Sequence, residues 1–214
     1  MQTMIRSAST AILLALALSA TGPQDRIRAQ ESPRGDIQAK LEYCTTCHNQ
    51  WGQGFHGYYT MPRLAGQQQQ YIINQLRAFI ERRRKNPIMA NVAHSLSPDM
   101  MSGLAAEFHA MNPAPYGGAP TGAAALGKKI FEEGIPESNV PACFACHGTE
   151  AKGHGEIPRL AGQLYWYIIK VLTNWDKERG QGSAKDISAI MVPTTHNLNG
   201  REIAALAAYL STLR

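Results

Sequence analysis

The sequence predicts an all-α protein built from two similar halves, and two observations lead to this fold class. Apolar residues recur at helical spacing in the last segment of each half, and no segment keeps the period-two alternation of a half-buried strand. The chain also repeats itself, because M-P-R-L-A-G-Q at residues 61–67 returns as I-P-R-L-A-G-Q at residues 157–163. Strands should therefore be minor, and both halves should share one helical plan.

The repeat extends over most of the chain and suggests the domain boundaries. Y-I-I at residues 71–73 returns at residues 167–169, and the segment 89–96 matches the segment 191–198. A stretch rich in proline and glycine, P-A-P-Y-G-G-A-P, separates the two copies and cannot continue a helix, as is typical of a linker. The predicted segments are a first domain over residues 35–112, a linker over residues 113–120 and a second domain over residues 121–214.

The last helix of each half has the clearest sequence signals. Ser97 precedes Pro98 at one helix start, and Asn199 with Glu202 three residues later resembles a capping box at the other. Each of these helices carries an apolar stripe on one face. The stripe residues are Met101, Leu104, Ala105 and Phe108 in the first half and Ile203, Leu206, Ala207 and Leu210 in the second.

The other predicted helices lie on either side of the repeated P-R-L-A-G-Q segment. Asp36 is expected to cap a first helix over residues 37–43, and Thr121 a corresponding helix that ends at Glu133. The four glutamines at residues 67–70 are interpreted as an ordinary polar first turn. The expected middle helices run roughly over residues 67–83 and 163–178.

All four cysteines of the chain lie in two C-x-x-C-H motifs. The motif residues are Cys44, Cys47 and His48 in the first half and Cys143, Cys146 and His147 in the second. Two thiols three positions apart can each form a thioether to one porphyrin while the adjacent histidine reaches the iron, which is the attachment signature of haem c. The sequence therefore predicts two covalently attached haem c groups.

Other uses of paired cysteines fit the sequence less well. A redox disulfide, half of a zinc site or two structural thiols would each explain a lone C-x-x-C pair. A four-cysteine zinc site has no need of a histidine after both pairs, and a disulfide within such a pair closes a very short loop and stabilises little. Haem attachment is therefore the leading hypothesis.

The N-terminal region is typical of a secretory signal peptide. Arg6 precedes an apolar run over residues 11–18, and small residues follow at positions 19–22. We predict a signal peptide over residues 1–20, with cleavage between positions 19 and 29. The apolar run is much shorter than the roughly 20 residues that a spanning helix needs, so an uncleaved anchor is the less favoured alternative. Because haem c is attached outside the cytoplasm, the expected compartment is the periplasm.

The basic composition does not indicate a protein that binds nucleic acid. Loss of residues 1–29 would lower the formal charge from +5 to +3, and the propionates of the haems would cancel the remainder. The sharpest positive patch is Arg82-Arg83-Arg84-Lys85, at the end of the predicted middle helix. Cations favour that end of the helix dipole, so the patch is interpreted as a solvated helix terminus, with partner docking as the alternative.

Met89 and Met191 are the candidate second ligands of the two irons. They stand at matching positions of the repeat, where a loop between the middle and last helices could carry them across the haem face. A thioether ligand raises the reduction potential, whereas an open position suits peroxide or gas binding. A methionine is more often a core residue, but its recurrence in both halves favours ligation. His94 and His196 also recur, five residues later, and are rival ligands.

Two prolines and two leucines complete the predicted haem sites. Pro62 and Pro158 occupy the place where a backbone carbonyl would hold the second nitrogen of the axial histidine. A bond of this kind sets the orientation of the ring and its basicity as a ligand. Leu64 and Leu160 would then pack on the porphyrin.

In these motifs the chain resembles the cytochrome c4 family, from about Gly35 to Arg214. The resemblance rests on both C-x-x-C-H motifs, both P-R-L-A-G-Q segments, the paired methionines, the linker and the prolines before the second haem motif. It implies two tandem class I cytochrome c domains related by pseudo-twofold symmetry, with haem edges close enough for internal electron transfer. The aromatic loop W-G-Q-G-F-H-G-Y-Y at residues 51–59 departs from the polar loop that the family carries there.

The resemblance also implies a function. The family carries electrons to terminal oxidases, so the expected role is a periplasmic carrier between respiratory donors and an oxidase, not an enzyme. Relatives of this fold also serve as haem subunits of dehydrogenases that oxidise sulfide, thiosulfate or alcohols, which leaves a role as electron-acceptor subunit open. A two-haem peroxidase is a third class, and it would need one iron without methionine.

The resemblance and the composition together suggest the kinds of partner. Expected partners are redox proteins, namely a terminal oxidase, an upstream cytochrome or a quinol-oxidising complex. We expect a monomer or weak dimer that does not bind nucleic acid, and a peripheral position at the membrane surface stays open.

Overall fold

The computed structural model describes residues 33–179 and 186–214, and the predicted signal peptide lies outside them. The described residues belong to one compact unit, Pro33–Arg214, which is mainly α-helical, as predicted. None of the described helices is both long and apolar enough to span a bilayer.

Within the described residues, the first half has four α-helices and the second half has six. In the first half, residues 33–112, they are α1 (Pro33–His48), α2 (Gln69–Ile80), α3 (Pro87–His94) and α4 (Pro98–Ala110). In the second half, residues 121–214, they are α5 (Ala124–Glu133), α6 (Phe144–His147), α7 (Tyr165–Thr173), α8 (Trp175–Glu178), α9 (Met191–His196) and α10 (Gly200–Leu210). Short 3-10 helices cover Pro136–Ser138 and Ile187–Ile190.

Strands are minor, which confirms the expectation from the sequence. In the first half, β1 (Phe55–His56) and β2 (Thr60–Met61) pair antiparallel as a hairpin. In the second half a single bridge between His154 and Ile157 takes the corresponding place. The segment between the cysteine motif and the proline is three residues longer in the first half than in the second, because the offset between the repeats is 99 at the cysteine motifs and 96 at the prolines. The additional residues lengthen the hairpin.

Each half has its own apolar core beneath its last helix. Helix α4 packs against α1 and α2, and α10 packs against α5 and α7. The predicted stripes of α4 and α10 are buried, and full burial of one large apolar side chain contributes about 1.5–3 kcal/mol. Gly127 lets α5 and α10 approach closely, because a Cβ there would lie 1.9 Å from the carbonyl oxygen of Ala205. Larger core residues include Leu41, Ile72, Phe79, Leu104 and Phe108 in the first half and Ile130, Phe131, Ile168, Leu206 and Leu210 in the second.

The starts of α4 and α10 confirm the predicted caps. The Ser97 hydroxyl accepts a hydrogen bond from the Met100 amide at 3.2 Å, with proline at the first helical position. Asn199 Oδ1 accepts from the Glu202 amide at 3.1 Å, and Glu202 Oε2 accepts from the Asn199 amide at 2.8 Å, which completes the capping box. A side-chain cap of this kind stabilises a helix by about 1 kcal/mol.

The predicted caps of the first helices are wrong. Helix α1 begins at Pro33, so Asp36 lies in its first turn, where the carboxylate still favours the helix dipole. The helix then continues through the cysteine motif, which the sequence had placed after its end. The N-cap of α5 is Ala123, and Thr121 supplies only a carbonyl that accepts from the Ala124 amide at 3.0 Å.

The middle helices are shorter than predicted because positive φ angles turn the chain at their ends. Gly66 and Gly162 have φ of +72° and +70°, and the chain stays extended until α2 and α7 begin. Arg82 has φ of +60°, which ends the helical path just after α2. The predicted second middle helix is divided into α7 and the short α8.

Two glutamines join the halves through reciprocal hydrogen bonds. Gln67 Oε1 accepts from the Arg159 amide at 2.7 Å, and Gln67 Nε2 donates to the Arg159 carbonyl at 3.0 Å. Gln163 makes the same pair of bonds to the backbone of Arg63, at 2.8 and 3.1 Å. All four residues are buried, and we call their contact the seam. It has the pseudo-twofold symmetry that the family resemblance implies, and Gln67 is not the solvated residue of a polar first turn.

We expect Gln163→Ala to destabilise the holoprotein by about 1–3 kcal/mol, because it leaves the buried amide of Arg63 without an acceptor. Denaturant unfolding followed by far-ultraviolet circular dichroism measures the change. The matched control is Gln69→Ala, since Gln69 is exposed at the start of α2. Equal stability of the two variants would show that the seam contributes nothing.

The interpretation of Arg82-Arg83-Arg84-Lys85 as a solvated helix terminus is wrong for two of its members. Arg83 forms an ion pair with Asp186 of the second half, at 2.5 Å. Arg84 donates from Nη2 to the Tyr167 hydroxyl, also in the second half, at 2.6 Å. These two cations therefore hold the halves together, while the other two members are exposed.

Arg179 makes the counterpart of the Arg84 contact from the second half. Its Nη1 donates to the Tyr71 hydroxyl and its Nη2 to the Tyr167 hydroxyl, both at 2.9 Å. Burial raises the pKa of Tyr167, but the charges of Arg84 and Arg179 outweigh it and leave that pKa below its ordinary value. The two arginines and two tyrosines thus form a basic cluster between the halves, in which Tyr167 and Arg179 are buried.

Candidate haem-binding sites

His48 lies at the C-terminal end of α1 and is buried, with Nδ1 2.9 Å from the carbonyl oxygen of Pro62. A carbonyl only accepts, so Nδ1 carries the proton and Nε2 keeps a lone pair for a metal. Burial lowers the pKa of His48 and outweighs the Pro62 hydrogen bond, which acts in the opposite direction. The ring is therefore both oriented and neutral, as a ligand to iron must be.

His147 repeats this arrangement at the end of α6. Its Nδ1 lies 3.0 Å from the carbonyl oxygen of Pro158, and the ring is buried to the same degree as His48. Burial lowers the pKa of His147 against the opposing effect of the Pro158 hydrogen bond. Both halves thus present one oriented imidazole, each held by the proline that the sequence singles out.

The turn after each motif brings the proline carbonyl to the histidine. The Gly54 amide donates to the His48 carbonyl at 2.9 Å, and the Gly153 amide donates to the His147 carbonyl at 2.8 Å. Both glycines have positive φ, +88° and +64°. A Cβ would lie 2.6 Å from a backbone oxygen at Gly54 and 2.2 Å from one at Gly153. Glycine is therefore required at both positions, since the returning strand passes directly over it.

We expect Gly153→Ala to destabilise the second half by about 1–3 kcal/mol, because the Cβ meets the Ile157 carbonyl and the positive φ is strained. Thermal unfolding of the holoprotein measures the loss. The control is Gly155→Ala, which has φ of +55° but no atom within 4 Å of the added Cβ. Gly153→Ala should lose more stability than Gly155→Ala, and equal losses would show that the close approach at Gly153 contributes nothing.

The cysteines of each pair differ in burial. Cys44 and Cys143 are half-buried, whereas Cys47 and Cys146 are exposed. Burial raises the pKa of Cys44, and it raises the pKa of Cys143 to about 11. Within residues 33–179 and 186–214, no group of three or more histidine, cysteine or acidic side chains is arranged to hold a metal ion. The zinc alternative therefore has no support among the described residues.

Met89 and Leu64 lie against the same core as Cys44 in the first half. In the second half Cys143 and Leu160 lie against the corresponding core, whereas Met191 is half-buried and does not belong to that cluster of described residues. The expectation that a loop carries the methionines is wrong. Met89 lies inside α3 and Met191 begins α9.

The rival histidines lie near the methionines but at the surface. His94 is exposed, and its Nδ1 contacts the Ala90 carbonyl at 2.8 Å within α3. His196 is exposed, with Nδ1 3.8 Å from a carboxylate oxygen of Asp176. Neither ring is buried, in contrast to those of His48 and His147.

The donor set and two polar side chains test whether haem c fits these sites. The indole Nε1 of Trp175 is buried and has no acceptor within the described ranges, which is costly for a hydrogen-bond donor. Arg84 is half-buried and makes its hydrogen bonds to Gln75 and Tyr167, not to any described carboxylate. A haem propionate would supply an acceptor to the Trp175 indole and a negative charge to Arg84. The residues therefore fit the group.

Sequence reasoning missed this polar set. Tyr71 and Tyr167 recur in the repeat, and that recurrence is the signal that points to them. Trp175 has no such signal, because Phe79 stands at the corresponding position of the first half. The role of the indole depends on its burial, which a single sequence does not show.

The first half also exposes several large aromatic side chains around its longer hairpin. Tyr58 is 94% exposed and Tyr59 72%, and the two rings contact each other edge to face. The second half lacks the three additional residues and has no equivalent tyrosine pair. The two sites are therefore alike in their histidine environments and different in their outer surfaces.

The paired C-x-x-C-H motifs, each with a histidine on a proline carbonyl in a helical domain, define a class I cytochrome c. The family model for cytochrome c matches residues 124–214. The chain belongs to the cytochrome c4 family, and it is an electron carrier that uses haem c.

Three relatives support this assignment. Cytochrome c4 of Thiocapsa roseopersicina is 35% identical over 79% of this chain and 86% of its own. The thiosulfate dehydrogenase electron acceptor of Thiomonas intermedia is 35% identical over 78% of this chain and 77% of its own. The solved structure of cytochrome c4 from Acidithiobacillus ferrooxidans matches with a TM-score of 0.69 and 34% identity, over 80% of this chain and 99% of its own.

Proposed function

We propose that this protein is a periplasmic carrier with two haem c groups, one on each C-x-x-C-H motif. The observation that carries the proposal is the duplicated buried histidine on a proline carbonyl, within one compact unit. Haem c, when bound, supplies a one-electron iron couple. The signal-peptide pattern at the N-terminus supports the periplasm as the compartment.

The proposed iron ligands are His48 with Met89 and His147 with Met191. The proline carbonyls fix the tautomer of each imidazole and raise its basicity. A thioether from Met89 or Met191 would favour reduced iron and so raise the potential, and it would disfavour binding of peroxide. This ligand set suits a carrier and disfavours the peroxidase alternative.

The seam supports transfer of electrons between the two sites. Gln67 and Gln163 are buried and each makes two hydrogen bonds across it, so the halves are held at a fixed separation. A fixed arrangement of two redox sites removes the need for a domain motion before each transfer. The chain can then accept an electron at one site and deliver it from the other.

The proposed final acceptor is a terminal oxidase. A second candidate role is to accept electrons from a thiosulfate dehydrogenase, and the similarity to the electron acceptor of Thiomonas intermedia favours it. The two roles are compatible, because one names the acceptor of this carrier and the other its donor.

Transient kinetics on the purified holoprotein tests both roles. Mixed with respiratory membranes in air, the reduced protein should be oxidised rapidly, and cyanide should stop the reaction. Mixed with a thiosulfate dehydrogenase and thiosulfate, the oxidised protein should be reduced, and omission of either should prevent it. Oxidation at the same rate without membranes would contradict the oxidase role, and absence of reduction would contradict the thiosulfate role.

A further inference from the structure

A basic cavity of about 460 Å³ opens beside the seam. It is bounded by the segment that follows α4, by Gly66 of the first half and by three basic residues, Lys152, Arg159 and Arg214. Among the described residues that line it, none has an acidic side chain. A cavity with this lining favours a negatively charged occupant.

Arg159 differs from its repeat counterpart, Arg63, in how its guanidinium is used. Arg63 donates from Nε to the Ala65 carbonyl, and its two terminal nitrogens donate to the carbonyls of Ala114 and Pro113 at 3.2 and 2.8 Å. Arg159 also donates from Nε, to the Ala161 carbonyl at 3.0 Å. Its terminal nitrogens have no partner within residues 33–179 and 186–214. The linker carbonyls therefore accept hydrogen bonds from the terminal nitrogens of Arg63, whereas those of Arg159 remain available to the cavity.

The side chain of Arg159 is held in place for a ligand. The residue is only 8% exposed, its backbone is bonded by Gln67, and Nε is fixed by its own turn. Burial lowers the pKa of Arg159, with Glu150 acting in the opposite direction. A fixed guanidinium that presents its two terminal nitrogens matches the oxygens of a tetrahedral anion.

Lys152 adds a second cation with an adaptable position. Its Nζ pairs with Glu150 at 2.5 Å, and that pair is exposed to solvent, so it contributes little stability. Glu150, whose charge acts on Arg159, is thus paired with Lys152 and does not line the cavity. The ammonium can turn from Glu150 to an anion at Arg159 at small cost.

We propose that this cavity binds a small tetrahedral oxyanion of the sulfate and phosphate class. The anion bridges Arg159 and Lys152 of the second half against the chain that leaves the first half. It would thereby strengthen the contact between the halves. The site is independent of iron ligation and of the choice of redox partner.

Calorimetric titration of the oxidised holoprotein with inorganic sulfate, and separately with phosphate, tests the proposal. Ionic strength is held constant with chloride, so that general screening does not change. The expected result is saturable binding, weakened about tenfold by Arg159→Lys, which keeps the charge but removes the planar fork. Lys152→Gln should weaken binding several-fold without affecting folding, because Lys152 is exposed.

The matched control is Lys128→Gln, which removes the same charge from an exposed ion pair on α5. It should bind both anions as the unaltered protein does. Non-saturable heats would overturn the proposal, as would equal affinities in the unaltered protein and Lys152→Gln. Equal weakening of anion binding by Lys128→Gln and Lys152→Gln would also overturn the proposal. That result would mean that the anion responds only to the net charge of the protein.

Discussion

Cys143→Ser combined with Cys146→Ser is expected to reduce the covalently bound haem from two groups per chain to one. Thioether attachment needs these two thiols, and the chain has no other cysteine in the second half to replace them. Intact-mass measurement of the exported protein, with haem quantified against chain concentration, gives the ratio directly. The remaining haem should show the spectrum of the first site alone.

The matched variant is Cys44→Ser with Cys47→Ser, which should carry a single haem, at the second site. The two variants should also differ in the haem-bearing peptide after proteolysis, residues 143–147 in one and 44–48 in the other. Two haems retained in either variant would contradict covalent attachment at the altered motif. A protein that carries one haem before any substitution would contradict the count.

Met89→Ala is expected to remove about half of the methionine-to-iron charge-transfer absorption of the oxidised protein, because one of two thioether ligands is lost. The potential of the first site should fall, since a thioether stabilises reduced iron, while that of the second site should change little. Absorption spectroscopy and a potentiometric titration measure the two effects. Met191→Ala should give the converse pattern.

The control for both is Met100→Ala, because Met100 is half-buried against the first core and has no place in the proposed ligand set. It should cost stability but leave the absorption band intact. An unchanged band in Met89→Ala or in Met191→Ala would remove that residue from the ligand set. His94 or His196 would then be the next residue to substitute.

Features determined by local chemistry could be predicted from the sequence. The cap at Ser97 and the capping box at Asn199 need only neighbouring residues, and the structure has both. The proline carbonyls at Pro62 and Pro158 follow from the repeat combined with the known needs of an axial histidine. The recurrence of a residue in both copies of the repeat thus indicates its role.

Features determined by the packing of one half on the other could not be predicted in this way. Gln67 and Gln163 are polar residues beside a helix start, and their burial depends on a surface about 100 residues away. Arg84 lies in a basic run that resembles a solvated terminus, yet it reaches Tyr167 of the other half. The caps assigned to Asp36 and Thr121 failed for another reason, because α1 already begins at Pro33 and α5 begins after Ala123, which has no side chain that can accept a hydrogen bond.

A potentiometric titration of the purified holoprotein, normalised to chain concentration, counts the redox-active haem sites of each chain. Two haem sites in one chain predict uptake of two electrons per chain, in two one-electron steps. Both steps should be accompanied by the spectral change of a haem that has histidine and methionine ligands. Uptake of one electron per chain, or a second step without that change, would contradict the account of two equivalent carrier sites.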